Sequence, residues 1–196
     1  LGSGTGLLGL LLLAREPSLT VTGLELSPAA CALADRTAAA NGLTDRLITL
    51  PCDLRDRRQL PPAGRFDLAV SNPPYFPAGG GKTAAGSRGI HRAELACTME
   101  QLCAAAAYLL RWGGQFCLVF RTERLAELME TLRRHRLEPK ALRFVQKNAA
   151  SAPSLLLMAC RKDGGTGLTV QPPLLLQNDD GTETPELRRI YFKEKG

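Results

Sequence analysis

The sequence predicts an α/β protein built on a doubly wound, mostly parallel sheet with an antiparallel final strand. Three observations predict it. Short apolar runs rich in β-branched residues alternate with helical stretches. The helical stretches begin at capping residues and end at glycine. A glycine-rich turn, Gly2-Ser3-Gly4-Thr5-Gly6, comes directly before the leucine-rich stretch Leu7 to Ala14, as in a strand–turn–helix unit.

Each element follows from its own residues. Leu19 to Leu26 (LTVTGLEL) has the apolar, β-branched character of a buried strand. Ser27 and Pro28 then open a helix as N-cap and first helical residue, and Gly42 closes it. Arg46 to Leu50 is a short strand, and Phe66 to Ser71 is another that ends against two prolines. Thr98 and Gln101 fit a capping box for a helix running to Leu110, with Gly113-Gly114 as its break and Gln115 to Phe120 as the next strand. Leu125, Leu128, Met129 and Leu132 recur at spacings of three and four and mark the core face of a further helix. Lys140 to Gln146 and Ser154 to Arg161 read as a final strand pair. Residues 162–196 read as a C-terminal tail, and the whole of 1–196 as one domain. Ala78 to Gly89 is a long glycine-rich loop set directly after the paired prolines.

Composition narrows the function classes. Lys plus Arg outnumber Asp plus Glu by 25 to 19, for a formal charge of +6. That excess suits a nucleic-acid partner, and a merely soluble basic surface explains it as well. The six cysteines, at 31, 52, 97, 103, 117 and 160, contain no C-x-x-C pair, and only two histidines accompany them, so no metal site is expected. They read as reduced thiols packed like small apolar groups, which favours the cytoplasm over a disulfide scaffold. No apolar segment approaches the roughly 20 residues needed to span a bilayer. The opening residues lack the features of a signal peptide, and the glycine turn needs a strand before it. The chain is therefore expected to be a fragment whose native form has an upstream apolar strand, since an empty central slot would expose two sheet edges.

Three motifs carry chemistry. The glycines of the opening turn let a ligand approach main-chain N–H groups. Gly4-Thr5-Gly6-Leu7-Leu8-Gly9 also matches G-x-G-x-x-G, and Glu25 follows at about the distance of an acid that grips ribose hydroxyls, so a dinucleotide-binding protein stays open here. Asp53, just past the third strand, can accept a hydrogen bond from the amine of an adenine ring, or serve as an ordinary loop aspartate. Asn72-Pro73-Pro74-Tyr75 is more specific. Asn72 offers a side-chain carbonyl, and Pro73 a main-chain carbonyl whose direction the next proline fixes. Together they can accept both hydrogens of a planar amino group and leave its nitrogen lone pair facing an electrophile, while Tyr75 stacks on the flat group.

With LGSGTG, LELSPAACALADRTAAANGL, PCDLRD, SNPPYF, IHRAEL, YLLRWGG and PPLLLQNDDGTETPELRRIY in this order, the chain resembles the class I S-adenosylmethionine-dependent methyltransferases of the N-P-P-Y group over nearly its whole length. Within that group it looks most like the bacterial tRNA1(Val) adenine-N6-methyltransferases. The resemblance implies a Rossmann-like fold, S-adenosylmethionine as cofactor, and methylation of the adenine next to the anticodon, position 37 in tRNA convention, by a monomer. On it, Gly2, Ser3, Gly4 and Gly6 lie along the methionine part of the cofactor, Glu25 and Leu26 at its ribose, and Asp53 and Leu54 at its adenine. Asn72, Pro73, Pro74 and Tyr75 hold the target base beside the cofactor, and Phe76, Lys82, Arg88 and Arg92 extend the substrate contacts. This chain departs from the pattern at Ile90-His91-Arg92-Ala93-Glu94, where an A-R-H-E-like arm is expected, and at Thr182-Glu183-Thr184, where an aromatic is usual.

Four basic clusters compete for RNA: Arg55, Arg57 and Arg58; Lys82, Arg88, His91 and Arg92; Arg133, Arg134 and Arg136; Arg188, Arg189, Lys193 and Lys195. The loop and the C-terminal tail are favoured, because the loop adjoins the N-P-P-Y tetrapeptide. Glutamine N5-methylation of a release factor, guanine-N2 methylation of ribosomal RNA, and a non-catalytic nucleotide-binding module remain as alternatives. A side-chain amide presents the same planar NH₂ as an adenine.

Overall fold

The glycine turn leads straight into helix α1 (Leu7–Arg15) in the computed structural model of the chain, which describes residues 1–73 and 97–191. Gly9 on α1 sits where a Cβ would come within 2.9 Å of a Leu47 methyl and 3.2 Å of a Val21 methyl, so the helix lies close on the strands that hold them. Strand β1 (Val21–Glu25) follows, then helix α2 (Pro28–Ala40), then β2 (Leu47–Pro51). Ser27 caps α2 by accepting from the Ala30 N–H at 3.3 Å, and Gly42 ends it at φ +65°. Cys31, Ala34 and Ala38 form the buried face of α2. β1 and β2 pair in parallel, Val21 opposite Leu47 through Glu25 opposite Pro51.

The remaining described elements form a second sheet. They are β3 (Phe66–Ser71), α3 (Met99–Leu109), β4 (Leu110–Arg121), α4 (Leu125–Arg134), β5 (Leu137–Gln146), β6 (Leu155–Lys162), β7 (Thr169–Leu175) and α5 (Pro185–Ile190). The strand order is β3-β4-β6-β5-β7. β3 and β4 run parallel, as do β5 and β7, and β6 is inserted antiparallel between β4 and β5. The expected mostly parallel arrangement with an antiparallel strand is present, although that strand is β6 and the parallel β7 follows it.

Sequence period explains the core. Phe116, Leu118 and Phe120 on β4 and Leu156, Met158 and Cys160 on β6 alternate onto one face, where Leu102, Cys103 and Ala106 of α3 and Leu128 and Leu132 of α4 cover them. Fully buried Phe116, Leu128 and Leu132 each contribute about 1.5–3 kcal/mol by leaving water.

Two expectations need correction. Gly113-Gly114 does not separate helix from strand. The helix ends at Leu109, and the strand starts at once and bulges, with Phe66 opposite Leu110 but Leu68 opposite Gln115. Gly113 sits at φ +70°, and a Cβ on Gly114 would lie 2.9 Å from the Arg111 carbonyl, so the glycines belong to the bulge. Residues 162–196 are also not a plain tail, for they contain β7 and α5. The prolines at 172 and 173 argue against a strand, but β7 is an edge strand and tolerates the missing donors.

Between β1 and β3 the start of the chain bridges the two sheets. The Leu1 nitrogen donates to the Val70 carbonyl at 2.7 Å, and the Ser3 N–H donates to the Leu24 carbonyl at 3.0 Å. Beyond them lies a cleft of about 460 Å³, walled by Thr22 and Leu24 on one side and by Phe66, Leu68 and Val70 on the other.

Candidate active site

Four segments meet at the carboxyl ends of the parallel strands: the glycine turn, the end of β1, the loop after β2 and the end of β3. Hydrogen bonds through the first residues tie them together. Besides the bonds to Val70 and Leu24, Ser71 Oγ donates to the Leu1 carbonyl at 3.0 Å, and the Cys52 N–H donates to the Glu25 carbonyl at 2.8 Å. An open α/β sheet binds ligands at such a crevice.

The glycine turn is shaped for a ligand at two of its three glycines. Gly2 and Gly4 have φ of +62° and +54°, and a Cβ on either would meet nothing within 4 Å. Gly6 differs, because a Cβ there would lie 3.1 Å from the Ala34 Cβ, so its lack of a side chain makes room for α2. Ser3 Oγ is buried without a hydrogen-bond partner among the described residues, and it packs where a Cβ on Gly23 would come within 2.8 Å of it. Gly23 was not singled out in the sequence reading. Its signal there is a lone glycine inside a strand, which marks close backbone approach.

The two acids are held differently. Glu25 Oε2 accepts from the Gly4 N–H at 2.8 Å, and Oε1 from the Ser27 N–H at 2.9 Å, so main-chain donors fix the carboxylate against the turn. Leu26 beside it is 38% exposed. Asp53 is clasped by Arg55, whose side chain donates to both carboxylate oxygens at 2.7 to 3.1 Å. These bonds, above all, hold the Asp53 carboxyl below its ordinary range. The Asp53 N–H donates to Gln59 Oε1 at 2.9 Å, which anchors the loop. Leu54 packs beside Leu24 and Leu109. Arg55 and Gln59 as partners of Asp53 were missed, although D-x-R is the spacing of a local carboxylate–guanidinium pair.

Asn72 is exposed at the end of β3 and Pro73 is half-buried beside it. Pro74, Tyr75, Phe76, Lys82, Arg88 and Arg92 lie outside the described residues, as do His91, Lys193 and Lys195. Among the described basic clusters, acids engage most of the candidates: Arg58 pairs with Asp56, Arg133 with Glu138, Arg134 with Glu100 and Glu130, and Arg136 with Asp163. Arg57 instead lies over the Tyr108 ring at 4.3 Å. The described residues hold no group of three or more side chains suited to a metal ion, and no helix among them is long and apolar enough to cross a membrane.

Comparison with known proteins fits this arrangement. The family model of the methyltransferase small domain matches residues 1–145, from the glycine turn almost to the end of β5. The chain belongs to the methyltransferase small-domain family. A relative, the tRNA1(Val) (adenine(37)-N6)-methyltransferase of Porphyromonas gingivalis, is 31% identical over 195 residues, covering 97% of this chain and 76% of the relative. The release factor glutamine methyltransferase of Chlorobaculum tepidum is 30% identical over 139 residues, covering 67% of this chain and 47% of that protein. A solved structure titled as a predicted O-methyltransferase, from Agrobacterium tumefaciens, superposes with a TM-score of 0.79 at 21% identity, covering 97% of this chain and 85% of that one. The fold is also that of a geranyl diphosphate methyltransferase, which superposes with a TM-score of 0.56 at 14% identity, covers 82% of this chain and 75% of that one, and was solved in complex with S-adenosylmethionine. The residues present in this chain fit that cofactor: Gly2 and Gly4 open onto free space, and two carboxylates stand at successive strand ends.

Proposed function

We propose that the chain acts as one methyltransferase domain, a cytoplasmic monomer, and transfers a methyl group to the exocyclic N6 amine of an adenine in tRNA. The observation that carries the reading is the position of Asn72 and Pro73 at the end of β3, tied through Ser71 and Val70 to the turn that contacts Glu25. The coverage of the tRNA-modifying relative, reaching 97% of this chain, supports RNA over a protein substrate.

Bound S-adenosylmethionine supplies an electrophilic methyl group on a sulfonium. Glu25 accepts from the ribose hydroxyls, because each of its oxygens has a lone pair beyond the bond to Gly4 or Ser27. Asp53 accepts from the adenine amine of the cofactor, and the Gly2–Gly6 turn lies along its methionine part. Asn72 Oδ1 and the Pro73 carbonyl accept the two hydrogens of the target amine, which orients the nitrogen lone pair and favours the positive charge that grows on it. Neither oxygen is basic enough to keep a proton, so the extra proton leaves to solvent. Tyr75 stacks on the target base.

The test is a methylation assay with bulk tRNA, ribosomal RNA and release factor side by side, on the wild type and Asn72→Ala. Label is expected in tRNA at adenine N6, with transfer abolished in the variant and affinity for S-adenosylhomocysteine changed only modestly. Label in the release factor alone, or an equal loss of transfer and cofactor affinity, contradicts the proposal.

A further inference from the structure

Arg55 occupies Asp53 more completely than a structural tie requires. An ionised carboxylate offers about four lone-pair sites. At Asp53, Oδ1 accepts from the Arg55 N–H and from Nε, both at 2.9 Å, while Oδ2 accepts from Nε at 3.1 Å and from a terminal guanidinium nitrogen at 2.7 Å. Three Arg55 hydrogens thus engage the carboxylate, the single Nε–H being shared between both oxygens. Glu25 contrasts with this, since it accepts one main-chain N–H on each oxygen and keeps the rest of its capacity.

An adenine amine must compete with the guanidinium for the Asp53 oxygens. The exchange is cheap. The two side chains are 31% and 23% exposed, and an ion pair this close to water is weakly held. Asp53 does not lose its place when the guanidinium leaves, because the Arg55 N–H to Oδ1 and the Asp53 N–H to Gln59 remain.

We propose that Arg55 is a positioning residue of the cofactor site, a built-in competitor that holds Asp53 until the cofactor's purine displaces it, and that it thereby lowers cofactor affinity and softens the choice of purine. The chemistry of the two partners gives the second effect. An amine at purine C6 is a donor and suits a bare carboxylate, whereas a carbonyl there is an acceptor and is repelled by it. With Arg55 in place, that carbonyl has a cation to accept from. The depressed carboxyl of Asp53 agrees with a strong resident partner.

The inference rests on the proposed role of Asp53 at the adenine, and the experiment separates the two. Calorimetry on the full chain compares S-adenosylhomocysteine with its deaminated analogue, S-inosylhomocysteine, for wild type, Arg55→Ala, Arg55→Lys and Asp53→Ala. Thermal melts establish that each variant is folded. Arg55→Ala is expected to bind S-adenosylhomocysteine about two- to fivefold tighter, the worth of an exposed ion pair. Its preference for the adenine compound over the inosine compound should rise by at least that factor. Arg55→Lys, with one compact cation in place of the fork, should fall between, and it carries the test if the alanine variant does not fold. Weaker binding in the Arg55 variants, or an unchanged purine preference, overturns the competitor role. A wild-type affinity that Asp53→Ala leaves untouched overturns instead the placement of Asp53 at the adenine.

Discussion

Glu25 and Asp53 are acids at the ends of adjacent strands, and their sequence surroundings are equally unremarkable for a loop. Their hydrogen bonds separate them, because Glu25 is held by the turn that faces the ligand and Asp53 by a neighbouring side chain. Replacing Glu25 by alanine should cost about 1.5–3 kcal/mol of cofactor affinity, roughly ten- to a hundredfold in Kd by calorimetry, since it removes charged acceptors and unties Gly4. Unchanged affinity would remove Glu25 from the ribose. At this scale the sequence points to candidates whose type and place in a turn or at a strand end are local facts: Gly2, Gly4, Glu25, Asp53 and Asn72. It missed Arg55, Gln59 and Gly23, because their importance lies in what they touch across a turn or a neighbouring segment.

Helix ends were read well, because capping is decided within four residues. Thr98 accepts from the Gln101 N–H at 3.2 Å, and the Gln101 side chain accepts from the Thr98 N–H at 2.9 Å, as the motif predicts. Thr98→Ala should therefore lower unfolding stability by about 0.5–2 kcal/mol, read as a shift of the urea midpoint with little change in slope. A null effect would mean that α3 gains nothing from its cap, although Met99, Leu102 and Cys103 behind it are all in the core. Strands fared less well at the bulge of β4 and at β7. A strand such as Thr169–Leu175 is stabilised by its partner and not by its own residues, and its two prolines hide it from any local rule.

Across the whole molecule, the segment after β6 is fastened by contacts that join distant parts of the chain. Arg143 on β5 donates to both carboxylate oxygens of Glu186 on α5 at 2.7 Å, and an Arg15 guanidinium nitrogen donates to the Arg189 and Ile190 carbonyls at the end of α5. Hydrogen bonds from Arg143 lower the Glu186 carboxyl from its ordinary 4.5. A depressed carboxylate stabilises the fold fully above the ordinary value and loses that contribution as pH falls through its own lower pKa. Glu186→Gln should accordingly melt below the wild type at pH 7 by a small margin, under about 1 kcal/mol for so exposed a pair. That difference should shrink below pH 4.5 and vanish at the acid end of the scan. A deficit that persists into strong acid would assign the loss to packing instead of the ion pair.

The sequence by itself determined the order of the elements, the caps and the acids and amide that stand at strand ends, because these depend on period and on chemistry within a few residues. Only the tertiary structure decided which strands are neighbours, how the Leu1–Ser3 segment bridges β1 and β3, and that Arg55 clasps both oxygens of Asp53. Strand order depends on the free energy of contacts between residues far apart in the chain, and a side chain's choice among several nearby partners is settled only when the folded backbone fixes which lies within hydrogen-bond reach.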